Sequence, residues 1–132
     1  MTGLLLITHG CLGDDMLDAA KEILSGCPLP AEAIGVDANC DPDQLLEKAG
    51  KLCDALDDGT GVLILTDLYG STPSNIANRL IDTHNACVIS GANLPMLLRI
   101  LNYPDMSLEA LCDKAANGAR DGIVVSSREQ AS

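Results

Sequence analysis

The stretch GVLILTDLYGSTPSN, residues 61–75, decides the fold. Val62 to Thr66 is a short β-branched and aliphatic run, the pattern of a strand buried on both faces. Asp67 to Thr72 is loop, rich in turn formers. Pro73 then opens a helix, with Ile76, Ala77 and Leu80 spaced to face inward. A strand that runs through a short loop into a helix is half of a parallel crossover unit.

The same pattern repeats upstream. Leu4 to Thr8 is a second apolar strand, and Leu12 to Leu24 has helical spacing, with Leu12, Met16, Ala19, Ala20 and Ile23 on one stripe. Ala33 to Val36 is a weaker strand. Asp41-Pro42 reads as a cap and first-turn proline, with Gln44 at the capping-box position. Leu45, Ala49, Leu52 and Leu56 make the buried stripe of that helix, and Asp57-Asp58-Gly59 ends it.

Downstream, Ala86 to Ser90 is a strand and Pro95 to Leu101 a short helix. Ser107 caps a last helix carrying Leu108, Leu111 and Ala115. Gly122 to Ser126 is a final strand, whose direction and partner the sequence leaves open. The alternation predicts an α/β fold: a doubly wound, mostly parallel open sheet with helices on both faces. Residues 1–126 are expected to be one domain and 127–132 a polar tail.

The charge is strongly acidic, −11 at pH 7. That field repels duplex nucleic acid and anionic membrane, and it steers a basic protein partner inward. The first apolar run, LLLI, lacks a basic leader and falls well short of a membrane span, so a cytoplasmic location is expected. Six cysteines are scattered with no CxxC pair, which predicts small core side chains rather than a metal site or disulfides.

Ligands of open α/β sheets bind beyond the carboxyl ends of the strands. Three loops meet there: Thr8-His9-Gly10, Asp67 to Thr72, and Gly91-Ala92-Asn93. His9 is the strongest nucleophile candidate among them. A carboxylate on one imidazole nitrogen fixes the tautomer and leaves the other free to attack. Asp67 suits that role, since it leaves the neighbouring strand at the same end. Gly10 allows close backbone approach. Ser71, Thr72 and the amides at the start of the Pro73 helix are expected to cradle phosphate oxygens. Ser71 and Thr72 also suit plain helix capping, and His84, in DTHNA, suits helix capping or a surface position. Asn75 and Asn78 are expected on a solvated face.

Three motifs now stand in order: ITHG at His9, GVLILTDLYGSTPSN, and ISGANLPMLLRIL from Ile89 to Leu101. In these the chain resembles, nearly end to end, the IIA domain of the mannose family of the bacterial phosphoenolpyruvate-dependent sugar phosphotransferase system. The resemblance implies that His9 receives a phosphoryl group from the HPr phosphocarrier protein and passes it to a IIB component. It implies that Asp67 orients His9, and that Gly10, Ser71 and Thr72 bind phosphate. Where the family often has Gly-Ser-Pro, this chain has Ser71-Thr72-Pro73, and the threonine hydroxyl keeps the contact available. Asn93 would shape the cleft with Gly91 and Pro95. The resemblance further implies a homodimer that exchanges an antiparallel edge strand from Gly122 to Ser126. No cofactor or metal is expected.

With 132 residues and no room for a fused IIB domain, the IIB partner is expected to be a separate protein, or the phosphorylation state to serve regulation. Membrane contact would then come only through a permease complex. A phosphotransferase subunit of a dihydroxyacetone kinase system shares the fold and histidine, but THG and STPSN favour the mannose type. A non-catalytic regulatory binding module is the other alternative. A dinucleotide enzyme is disfavoured, because the first loop is THGCLG and not GxGxxG.

Overall fold

A computed structural model describes residues 1–128. Four strands, β1 (Gly3–His9), β2 (Ala31–Val36), β3 (Val62–Thr66) and β4 (Ala86–Ser90), form one sheet in the order β2-β1-β3-β4, with every pair parallel. Five helices follow the strands: α1 (Leu12–Leu24), α2 (Pro42–Leu56), α3 (Thr72–Leu80), α4 (Leu94–Leu101) and α5 (Leu108–Asp121).

The strand pleat sorts the core into two layers. Leu4, Leu6, Leu63 and Leu65 point to one face, where α1, α4 and α5 bring Leu17, Ala20, Leu97, Ile100, Leu111 and Ala115. Leu5, Ile7, Val62 and Ile64 point to the other, where α2 and α3 bring Ala49, Cys53, Ile76, Ala77 and Leu80. Both faces of the central strands are therefore covered, as their unbroken apolar runs require. From β1 the chain winds outward to β2, then returns to β3 on the opposite side of β1. The switch point lies between β1 and β3, where neighbouring crossovers part to opposite sides.

Four readings of the sequence are corrected. The buried face of α1 is Gly13, Leu17 and Ala20, while Leu12 and Ile23 are exposed at 45% and 57%. Gly13 sets this rotation, because a Cβ there would meet Thr8 and Leu6 at 3.0–3.3 Å, so its bare side lies on the sheet. Asp41 caps α2 by accepting the Asp43 amide at 2.9 Å, and Gln44 makes no return bond. Cys87 of β4 and Cys112 of α5 are joined in a disulfide, since the topology brings together two residues that sequence spacing keeps apart. Gly122 closes α5, and Ile123 to Ser126 makes no strand pairing among the described residues. A strand exists through its ladder, and none of the described strands pairs with this segment to supply one. The end of the polar tail, 129–132, lies outside the described residues.

Candidate functional site

β1 and β3 deliver the site. They are adjacent, in register Ile7↔Thr66, so His9 and Asp67 leave the sheet side by side at the switch point. Asp67 Oδ2 accepts two bonds from His9, one from the backbone amide at 3.0 Å and one from ring Nδ1 at 2.8 Å. The Asp67 side chain is 11% exposed and the His9 ring 52%. The acid is thus sunk beneath the ring, and the ring stands in solvent. Because an ionised carboxylate only accepts, the neutral imidazole carries its proton on Nδ1. Nε2 has no partner among the described residues and belongs to a ring that is half exposed.

Burial pushes the Asp67 carboxyl up, but the His9 amide and ring bonds, with the Asp67 amide, hold it below its ordinary value. The other oxygen, Oδ1, is buried and has no hydrogen-bond partner among the described residues.

Gly10 turns the chain out of β1 in the left-handed region, φ +51°, and its amide donates to the Val36 carbonyl at 2.9 Å. Ser71 stands at the N-cap position of α3, but its hydroxyl turns back to the Leu68 carbonyl and does not cap. The amides of Thr72 and Ser74 consequently have no partner among the described residues. Free amides at a helix start are an anion-binding arrangement. Gly10, Ser71 and Thr72 share the carboxyl edge with His9 and make no hydrogen bond to it.

Asn93 is a structural residue. Its side chain caps α4 by accepting the Met96 amide at 2.9 Å and donates to the Ala119 carbonyl at 3.2 Å. His84 is more involved than a surface capping residue. Its ring lies between Asp54 Oδ1 at 3.0 Å and Thr83 Oγ1 at 2.8 Å, with only 18% of the side chain exposed. It borders a groove of about 400 Å³ between α2 and α3, remote from His9 in the topology. Asn75 is exposed as expected. Asn78 reaches back to the Ser74 carbonyl and hydroxyl at 2.8 and 3.3 Å.

Several supporting residues escaped the sequence reading. Buried Ser74 accepts the Gly70 amide at 3.3 Å and steadies the loop before α3. Buried Thr8 accepts the Gly13 amide at 2.8 Å and ties α1 to the strand that carries His9. Thr66 donates to Ser90 at 3.0 Å between the last residues of β3 and β4. The available signal was a hydroxyl residue closing three apolar runs, at Thr8, Thr66 and Ser90. Among the described residues no group of three or more His, Cys, Asp and Glu side chains could hold a metal ion. No helix among them is long and apolar enough to cross a membrane.

Fold and site together define a doubly wound α/β domain with an imidazole–carboxylate pair at its switch point. The family described as EIIA-man, PTS system fructose IIA component, matches residues 3–116. The chain therefore belongs to the mannose-type IIA components of the phosphotransferase system. The PTS system mannose-specific EIIAB component of Escherichia coli K12 is 33% identical over 119 residues, which are 88% of this chain and 36% of that protein. The chain thus spans little more than a third of that relative. Among solved structures, a phosphotransferase system component EIIA from Streptococcus agalactiae aligns at 25% identity with TM-score 0.83, covering 95% of this chain and 97% of the other. The mannose/sorbose specific IIA subunit from Enterococcus faecalis shares the fold at 22% identity and TM-score 0.85, covering 96% and 95%.

Proposed function

We propose that His9 is the phosphoryl acceptor of a relay from the HPr phosphocarrier protein to a IIB component carried on a separate chain. The observation that carries this reading is the divided imidazole: Nδ1 bound to a sunken carboxylate, Nε2 unpartnered on an exposed ring. Nε2 attacks the phosphorus of the donor, an N–P bond forms, and the donor's bond to phosphorus breaks. The Nδ1 proton stays in place, and Asp67 stabilises the imidazolium that develops. The free amides of Thr72 and Ser74, with the Thr72 hydroxyl, receive the phosphoryl oxygens, while Gly10, whose own amide is held by the Val36 carbonyl, leaves room for them beside His9. Neither metal nor cofactor takes part in this scheme.

The surroundings suit a protein donor. Leu12, Leu68 and Tyr69, neighbours of His9 and Asp67 in sequence, are 45%, 60% and 79% exposed. Asp14 and Asp15 follow in the first turn of α1. An apolar centre beside acidic groups fits a partner with an apolar face and a basic rim, and the −11 charge would steer it in. The exposed run Ile123-Val124-Val125, at 71–77%, is suited to pair with a second copy, giving the homodimer. The protein would then act in the cytoplasm, touching the membrane only through a permease complex, or serve as a regulator.

The test is incubation with phosphoenolpyruvate, Enzyme I and HPr, followed by intact mass. One acid-labile, base-stable phosphoryl group is expected on the wild type and none on His9→Ala. Equal labelling of the variant would overturn the assignment.

A further inference from the structure

Asp67 holds His9 through a single oxygen, and two donors on another strand must converge on it. Such bonds weaken steeply as angle and distance drift. The precision has to come from the residue that places Asp67 on the end of β3, which is Thr66.

Thr66 is fully buried in a strand otherwise made of Val, Leu and Ile, so its hydroxyl serves no packing need. Thr66 and Ser90 are the last rung of the β3–β4 ladder. Thr66 Oγ1 donates to Ser90 Oγ at 3.0 Å, and the Thr66 carbonyl accepts the Ala92 amide at 3.0 Å. The residue directly before Asp67 is therefore gripped by the exit of β4 through both side chain and backbone. Thr8, the matching hydroxyl before His9, is occupied otherwise, holding the Gly13 amide at the start of α1.

We propose that Thr66 and Ser90 are positioning residues for His9: their hydroxyl pair locks the exit of β3, so that one oxygen of Asp67 meets both the amide and the ring of the histidine. The consequence for phosphoryl transfer rests on the reading of His9 as acceptor. The consequence for the ring does not.

The experiment uses the full chain with ¹⁵N-labelled histidine. Wild type, Thr66→Val, Thr66→Ser, Ser90→Ala and the Thr66→Val/Ser90→Ala double variant are compared. Ring-nitrogen chemical shifts of unphosphorylated His9 report which nitrogen carries the proton. Thr66→Val keeps the volume and is expected to move population from the Nδ1–H to the Nε2–H tautomer. It should also slow phosphoryl uptake from phospho-HPr roughly tenfold, the scale of loss from a slight misplacement of a catalytic group, with little change in KM. Thr66→Ser should restore both readouts, and the double variant should be no worse than Thr66→Val alone, as for two ends of one bond.

Wild-type ring shifts in Thr66→Val would overturn the proposal, as would failure of Thr66→Ser to restore them or additive losses in the double variant. If Thr66→Val does not fold, as judged by circular dichroism, the half-buried Ser90→Ala carries the same test. A wild-type chain that takes up no phosphoryl group would sink the acceptor reading, and the ring shifts alone would still decide this one.

Discussion

Gly35 on β2 lies so close to Gly10 that a Cβ at Gly35 would stand 2.3 Å from the Gly10 carbonyl oxygen. The loop that carries His9 is thus seated against a strand with no side chain at the point of contact. The obstacle to a larger residue is backbone, which has little freedom to yield. Gly35→Ala should lower stability by about 1–3 kcal/mol, the usual range for overpacking, and should displace the His9 loop. Urea unfolding measures the first and labelling by phospho-HPr the second. Wild-type values for both would show that the contact constrains nothing.

Asp67→Ala leaves the fold intact, because the carboxylate packs no core. It removes the group that steadies the imidazolium, and phosphoryl uptake should fall by roughly 100-fold, as when a single preorganised electrostatic partner is lost. Quench-flow labelling with phospho-HPr measures the rate. A loss under twofold would deny Asp67 any role in the chemistry.

The same carboxyl predicts a pH dependence. Its pKa in the folded chain is lower than normal, so ionised Asp67 adds stability. That contribution is complete above the ordinary carboxylate value near about 4 and is lost as pH falls through the lower folded value. The stability margin of wild type over Asp67→Asn should therefore shrink only below about pH 4. Urea midpoints at stepped pH read it out, and a margin that collapsed between about pH 6 and pH 5 would contradict the depressed carboxyl.

Much of this arrangement was legible in the sequence, for identifiable reasons. Val62–Thr66, Leu12–Leu24 and Pro42–Leu56 announce themselves by apolar period, caps and first-turn proline, and the structure keeps those bounds. Asp67 was legible as the first polar residue after a buried strand. What escaped depends on contacts between distant segments. The rotation of α1 follows from Gly13 docking on Thr8, and the seat of the His9 loop from Gly35 under Gly10. Ser71 looks like a cap, but its hydroxyl goes to Leu68. Ile123 to Ser126 has strand-like composition without a strand beside it.

The disulfide between Cys87 and Cys112 predicts a count. Denatured and alkylated without reductant, the chain should take four labels, on Cys11, Cys27, Cys40 and Cys53. With reductant it should take all six. The bond closes a loop between residues 25 apart, which by chain entropy is worth about 3.5 kcal/mol under oxidising conditions. Six labels without reductant would deny the bond.

The four free thiols should separate further in the native protein, because the thiolate is the reactive form and access differs. Cys53 is fully buried in the α2 face of the core. Burial, then the nearby Asp54 and Asp57, push its thiol up to about 11. At neutral pH it is both covered and protonated. Cys40 is half-buried, donates to Asp37 Oδ1 at 3.4 Å and accepts the Asp37 amide at 3.1 Å. Cys11 is exposed at the N-cap position of α1, where a reagent reaches its sulfur directly. Timed iodoacetamide labelling with peptide mapping should find Cys11 modified first and Cys53 last. Early modification of Cys53 would mean that α2 opens from the sheet far more readily than its packing allows.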